Sequence, residues 1–171
     1  MTFVAYADGR IALAGRRVRC ALGSAGVTAA AAKREGDGAT PAGAWTMRRV
    51  FYRPDRRDPP VTGLPLAPLA PDDGWCNSPD NPAYNRLVRL PHPASAERLW
   101  RDDGVYDLIV ELGDNDDPVV PAAGSAIFLH VAGPDYAPTQ GCVALATVDL
   151  EELLRSAKPG DPLVVSPEPA P

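Results

Sequence analysis

The chain has 171 residues, 45% of them hydrophobic, and a formal net charge of −5. That length and apolar content suffice for one sizeable core in a single domain over residues 1–171, with no internal repeat or low-complexity linker dividing it. The acidic balance excludes the electrostatic footprint of a nucleic-acid binder, and 20 prolines with 15 glycines predict a mainly β protein, rich in turns and poor in helix.

Met1 to Leu22 alternates short apolar runs with Asp8, Arg10, Arg16, Arg17 and Arg19, so it lacks the continuous apolar core of a signal peptide or a membrane span. Thr2 to Tyr6 and Arg10 to Ala14 flank Asp8-Gly9, a hairpin signature. Val18 to Leu22 and Ala44 to Tyr52 read as further strands. Arg48, Arg49, Arg53, Arg56 and Arg57 form a basic cluster with two readings. One is a contact for substrate carboxylates; the other is a solvated strand edge and loop balanced by Asp55 and Asp58. From Arg53 to Tyr84 the chain is proline-rich with few periodic signals, a long excursion of the kind that is functional or disordered. Trp75, Tyr84 and Asn85 are aromatic and amide groups of the type that line peptide or sugar-peptide clefts. Trp75 reads equally well as a core anchor for its loop.

Ser95 to Trp100 is compatible with one or two helical turns, and Tyr106 to Leu112 and Ala126 to Val131 are apolar strands. Thr147 is placed to cap a helix over Val148 to Ala157, with Asp149, Glu151 and Glu152 near its positive end and Lys158 at its exit. Leu150, Leu153 and Leu154 give that helix an apolar face. Pro159-Gly160 turns the chain into a last strand, Pro162 to Val165, and residues 166–171 read as a frayed tail.

Ile127 to Val131 reads as a buried strand and Val143 to Leu145 restarts an apolar run, so the Gly/Pro/Asp/Tyr insert between them must reverse. The reversal places His130 and Cys142 at opposite ends of one loop, twelve residues apart. A neighbouring imidazole takes the proton of a thiol and leaves the reactive thiolate. Gly141 permits a backbone conformation in which successive N–H groups converge on a developing oxyanion. The competing reading is a small buried thiol beside a hydrogen-bonded core histidine. Cys20, Cys76 and Cys142 are an odd number, so at least one thiol is unpaired. Cys142 is the natural candidate, with a Cys20–Cys76 disulfide left open. No spacing of His92, His130 and the cysteines matches a zinc motif, and His92 between two prolines reads as an exposed turn residue.

His130 followed by Thr139-Gln140-Gly141-Cys142-Val143 resembles the signature of the L,D-transpeptidase (YkuD-type) catalytic domain, in which a histidine precedes a Ser/Thr-x-Gly-Cys segment. Thr40-Pro41-Ala42-Gly43-Ala44-Trp45 is similar to the Thr-Pro-x-Gly-x-aromatic element of the same family, and the resemblance spans Val18 to Val165. It implies a β-sandwich-like fold with one principal helix after the catalytic cysteine, and two-step acyl transfer on peptidoglycan stem peptides. In that scheme Cys142 is the nucleophile and His130 the base, amides around Gly141 hold the oxyanion, and Thr139 orients the site. Gly133 and Gln140 join Trp75, Tyr84 and Asn85 as substrate contacts. The resemblance further implies no metal or organic cofactor, inhibition by carbapenem-type lactams, and work in the periplasm or cell wall. The product is a 3,3 bond between diaminopimelate residues or a 1,3 bond from L-Ala to diaminopimelate. Val131, the short His–Cys loop and Ala144, where many members carry an arginine, mark a compact branch with altered substrate contacts. A peptidoglycan endopeptidase using the same thioester, and a catalytically silent wall-binding module, are the rival readings.

Overall fold

The computed structural model describes Met1 to Pro171. β1 (Phe3–Tyr6) and β2 (Arg10–Leu13) form the hairpin expected around Asp8-Gly9, with Val4 opposite Ala12 and Tyr6 opposite Arg10. β3 (Arg16–Ala21) pairs with β2, and the short β4 (Val27–Ala29) runs parallel to the start of β5 (Thr40–Tyr52). β6 (Leu66–Pro68) lies parallel to the end of β5. β7 (Asp73–Cys76), β8 (Leu87–Arg89) and β9 (Ala96–Arg98) make a separate antiparallel sheet with β7 in the middle. β10 (Leu108–Leu112), β11 (Phe128–Val131) and β12 (Val143–Leu145) follow, then the helix α1 (Thr147–Ser156) and β13 (Pro162–Ser166).

The long β5 closes the main sheet. Its first half pairs with β13 and its second half with β10, so the order β10-β11-β12-β3-β2-β1-β13-β5 returns to β10. Val110 faces Val50 whereas Leu112 faces Met47, which leaves one extra residue in β5. Such a bulge bends the strand, letting β5 serve both ends of the ring. Because side chains alternate along a strand, each strand of the ring gives one set to a core of 23 buried residues, joined by Leu150, Leu153 and Leu154 of α1. Burying each such leucine contributes about 1.5–3 kcal/mol. The opposite set from β5, β10 and β11 (Phe51, Ile109 and Phe128) packs with Trp75, Leu99 and Tyr106 into a second cluster of nine buried residues. No helix is long and apolar enough to cross a membrane.

Several expectations change. Ser95 to Trp100 is not helical: Ala96 pairs with Cys76 and Glu97 with Trp75, so tertiary pairing overrides local propensity. The excursion from Arg53 to Tyr84 holds β6 and β7 rather than lacking structure. Thr147 is the first helical residue and Ala146 is the N-cap, without a side-chain cap bond. β12 ends at Leu145, leaving only Ala146 for the turn, and its carbonyl accepts from the amides of Asp149 and Leu150 at 3.0 Å each. Cys20 and Cys76 are both buried free thiols. The basic cluster is internally paired: Arg48 with Asp116, Arg49 with Glu111, Arg53 with Asp55, Arg56 with Asp107 and Arg57 with Glu151. The tail is partly tied, since Ser166 ends β13 and the Glu168 carbonyl accepts from the Ala7 amide.

Candidate active site

β11 and β12 are parallel neighbours, with Leu129 opposite Val143 and His130 opposite Ala144. Leu129, Val143 and Leu145 enter the large core. Alternation therefore turns Phe128, His130 and, one residue before β12, Cys142 to the other face. There both His130 and Cys142 face one cavity of about 600 Å³.

The segment joining the strands is held from both sides. The Arg19 guanidinium donates to the Asp135 carbonyl at 3.0 Å and lies 4.6 Å from the Tyr136 ring centroid. The Thr139 amide donates to the Leu22 carbonyl, and the Ser24 amide to the Thr139 carbonyl, each at 2.9 Å. The Thr139 hydroxyl donates to the Cys142 carbonyl at 2.7 Å and accepts from the Gly141 amide at 3.1 Å. Gly141 has φ +133°, and a Cβ there would sit 2.8 Å from the Ala39 carbonyl oxygen. Only glycine meets both demands.

The Cys142 thiol donates to the Ala126 carbonyl at 3.2 Å, and its sulfur accepts from the Phe128 amide at 3.4 Å. Burial, reinforced by the charge of Glu97, pushes the thiol up to about 12. His130 is also buried, and burial lowers its imidazole to about 4. At neutral pH the pair is thus a neutral thiol and a neutral ring. His130 Nδ1 lies 2.8 Å from the Val131 carbonyl. A carbonyl only accepts, so Nδ1 carries the hydrogen and Nε2 presents its lone pair. No hydrogen bond joins Cys142 to His130 at rest. The Gly141 amide, expected to face an oxyanion, is committed to Thr139, whereas the Cys142 amide donates to no protein group.

Gly133, Thr139 and Gln140 line the cavity with the pair; Trp75, Tyr84 and Asn85 do not. Those three are buried behind it. The Trp75 indole donates to Asn85 Oδ1 at 2.8 Å, the same oxygen accepts from the Ala126 amide at 3.0 Å, and Asn85 Nδ2 donates to the carbonyls of Asp114 and Asn115. Asn85 therefore holds, through its amide, the residue whose carbonyl receives the Cys142 thiol. The Tyr84 hydroxyl donates to Glu35, which also accepts from Ser125 at 2.7 Å. Asn77 is the residue of the expected loop that does reach the cavity.

Lys33, Glu97, Arg101 and Tyr106 line the cavity and carried no sequence signal. Tyr106 stands edge-on to His130 at 5.2 Å and to Phe128 at 6.1 Å, and its hydroxyl donates to Glu97 Oε1 at 2.6 Å. It opens an apolar run and reads as core. Lys33 is almost wholly buried, and its ammonium donates to Arg34 and Asp37.

The closed β-sheet thus brings a histidine of β11 and a cysteine just before the parallel β12 to one cavity. The profile of the YkuD family, the L,D-transpeptidase catalytic domain, matches residues 1–165. The chain belongs to that family, whose members are acyltransferases of the bacterial cell wall acting on peptidoglycan. Searches of curated proteins and of solved structures find no match.

Proposed function

We propose that the protein is a peptidoglycan L,D-transpeptidase, a single-domain enzyme in which Cys142 forms a thioester with one stem peptide and passes it to an amine of another. The observation that carries the reading is the placement of Cys142 and His130 on one cavity wall, with His130 Nε2 unprotonated. Because the resting pair is neutral, the thiol proton is drawn off as attack proceeds: the S–H turns from the Ala126 carbonyl toward Nε2 while sulfur approaches the donor carbonyl. The unpartnered Cys142 amide is the first donor available to the oxyanion. Thr139, through Gly141 and the Cys142 carbonyl, holds that amide in position. His130 then gives its proton to the leaving amine and is neutral again for the acceptor. Gly133 and Gln140 contact the stem peptide; Trp75, Tyr84 and Asn85 act from behind the wall. No step calls for a metal or organic cofactor. The bond formed is 3,3 between diaminopimelate residues or 1,3 from L-Ala to diaminopimelate, and the site of work is the periplasm or cell wall.

Intact-protein mass spectrometry after carbapenem treatment is expected to show one adduct, absent from Cys142→Ala. His130→Ala is expected to slow its formation by about 10²-fold or more. An adduct on Cys20 or Cys76 would overturn the assignment. Stem peptides incubated with the protein are expected to yield cross-linked dimers whose fragments give the bond position. Shortened monomers alone, with amine in excess, would favour the endopeptidase.

A further inference from the structure

Three carboxylates line the cavity, those of Glu35, Glu97 and Asp103, and the acylation step uses none of them. Glu97 Oε1 is fixed by the Tyr106 hydroxyl at 2.6 Å, while Oε2 accepts no hydrogen bond and the side chain remains 28% exposed. The other charges around it are answered elsewhere. Arg101 donates to Asp103 and approaches Glu97 Oε1 only to 3.9 Å. Lys33 is bound by Asp37; Glu35 accepts from Tyr84 and Ser125 through Oε2 and leaves its Oε1 free, but it is Glu97, not Glu35, whose charge acts on the Cys142 thiol. Burial raises the Glu97 carboxyl above its ordinary range, with Glu35 adding to the rise and Tyr106 and Arg101 opposing it. A negative charge here also works against forming a thiolate at Cys142. It hinders the first half-reaction, but it suits a second half-reaction in which the incoming group is a cation.

Resting on the transpeptidase reading, we propose that Glu97 is the acceptor-recognition residue, its free Oε2 receiving the protonated primary amine of the acceptor and taking the first proton from it. The ammonium loses one proton to Glu97. The neutral nitrogen then attacks the thioester carbonyl, so that a C–N bond forms and the C–S bond breaks. The second nitrogen-bound proton passes through His130 Nε2 to the departing sulfur, restoring the thiol. Thioester and ammonium thereby give amide, thiol and one proton, which Glu97 releases to solvent. The carboxylate also distinguishes amine from water, because water carries no charge for it to hold.

The test uses a stem tetrapeptide donor with methylamine, cationic near neutral pH, and hydroxylamine, neutral there, in competition. Glu97→Gln keeps an acceptor for Tyr106 and removes only the charge. Its transfer to methylamine relative to hydroxylamine is expected to fall by about tenfold or more. Its acylation by carbapenem is expected to rise about threefold or more, since the charge opposing the thiolate is gone. Tyr106→Phe retains the carboxylate and is expected to keep the preference for methylamine. An unchanged ratio in Glu97→Gln with a normal carbapenem adduct overturns the Glu97 assignment alone. Equal loss of preference in both variants overturns charge recognition in favour of a structural role. Absence of the Cys142 adduct in the unsubstituted protein overturns the transpeptidase reading and this inference with it.

Discussion

In the proposed mechanism, burial sets the form in which Cys142 and His130 wait. A pre-formed thiolate–imidazolium pair requires a thiol lowered by nearby positive charge, whereas here burial moves the thiol up to about 12 and the imidazole down to about 4. The neutral ring remains a base wherever pH exceeds its own pKa. An ordinary histidine, with a value of 6.5, loses base function as pH drops through that point. His130 keeps it down to about 4. The rate constant for carbapenem acylation is therefore expected to stay level from neutrality to roughly pH 5 and to halve only near pH 4. Rapid-mixing fluorescence or quenched-flow mass spectrometry over that range measures it, and a midpoint near 6.5 would show that the working ring is solvated. Trp75 and Asn85 teach a second lesson at this scale. Their residue types suit a ligand wall, yet the same aromatic and amide groups serve to saturate buried backbone, and only the fold reveals which use is made of them.

At the level of elements, local signals were legible where the chain decides its own structure. The Asp8-Gly9 hairpin, the β11–loop–β12 reversal and the apolar face of α1 all follow from turn chemistry and periodicity. Illegible were elements made by distant partners: β9 exists because Glu97 and Ala96 pair with Trp75 and Cys76, and β6 because it adds to the end of β5. The site divides in the same way. His130, Thr139, Gly141 and Cys142 share one local motif, while Glu97, Arg101 and Tyr106 enter the cavity from β9 and the approach to β10, with no spacing to announce them. The start of α1 carries a testable deficiency. Ala146 occupies the cap position with φ −55° and ψ 146° but offers no side-chain acceptor. Ala146→Ser is expected to stabilise the protein by about 0.5–1.5 kcal/mol in urea unfolding, because the hydroxyl can receive one of the orphan helix amides. An unchanged midpoint would mean that those amides are already satisfied by solvent at no cost.

Across the whole molecule, two buried titrating groups pull stability in opposite directions over the same acidic range. Asp114 is 6% exposed and its Oδ2 has no hydrogen-bond partner; burial raises its carboxyl from 3.8 to about 6, with Lys33 opposing. A raised acid favours the protonated native state, so its contribution is complete below 3.8, where native and unfolded chains are both protonated. It is lost as pH rises through about 6, when a charge must be carried in the interior. His130 has the reverse sign. Its value falls from 6.5 to about 4, so its contribution is present above 6.5 and lost as pH falls through 4. At 1.36 kcal/mol per pKa unit each change amounts to roughly 3 kcal/mol, and between pH 4 and 6 the two slopes largely cancel. Asp114→Asn removes one side of the balance. The variant is expected to be more stable than the parent by up to about 3 kcal/mol at neutral pH, with the difference vanishing below about pH 4. Its stability is also expected to decline more steeply than the parent's on acidification from 6.5, because the opposing slope of Asp114 is gone. Urea unfolding at a series of pH values reads both curves. Equal stability of the two proteins at neutral pH would show that Lys33 fully compensates the buried charge, and that Asp114 belongs to an ion pair rather than to the acid-responsive interior.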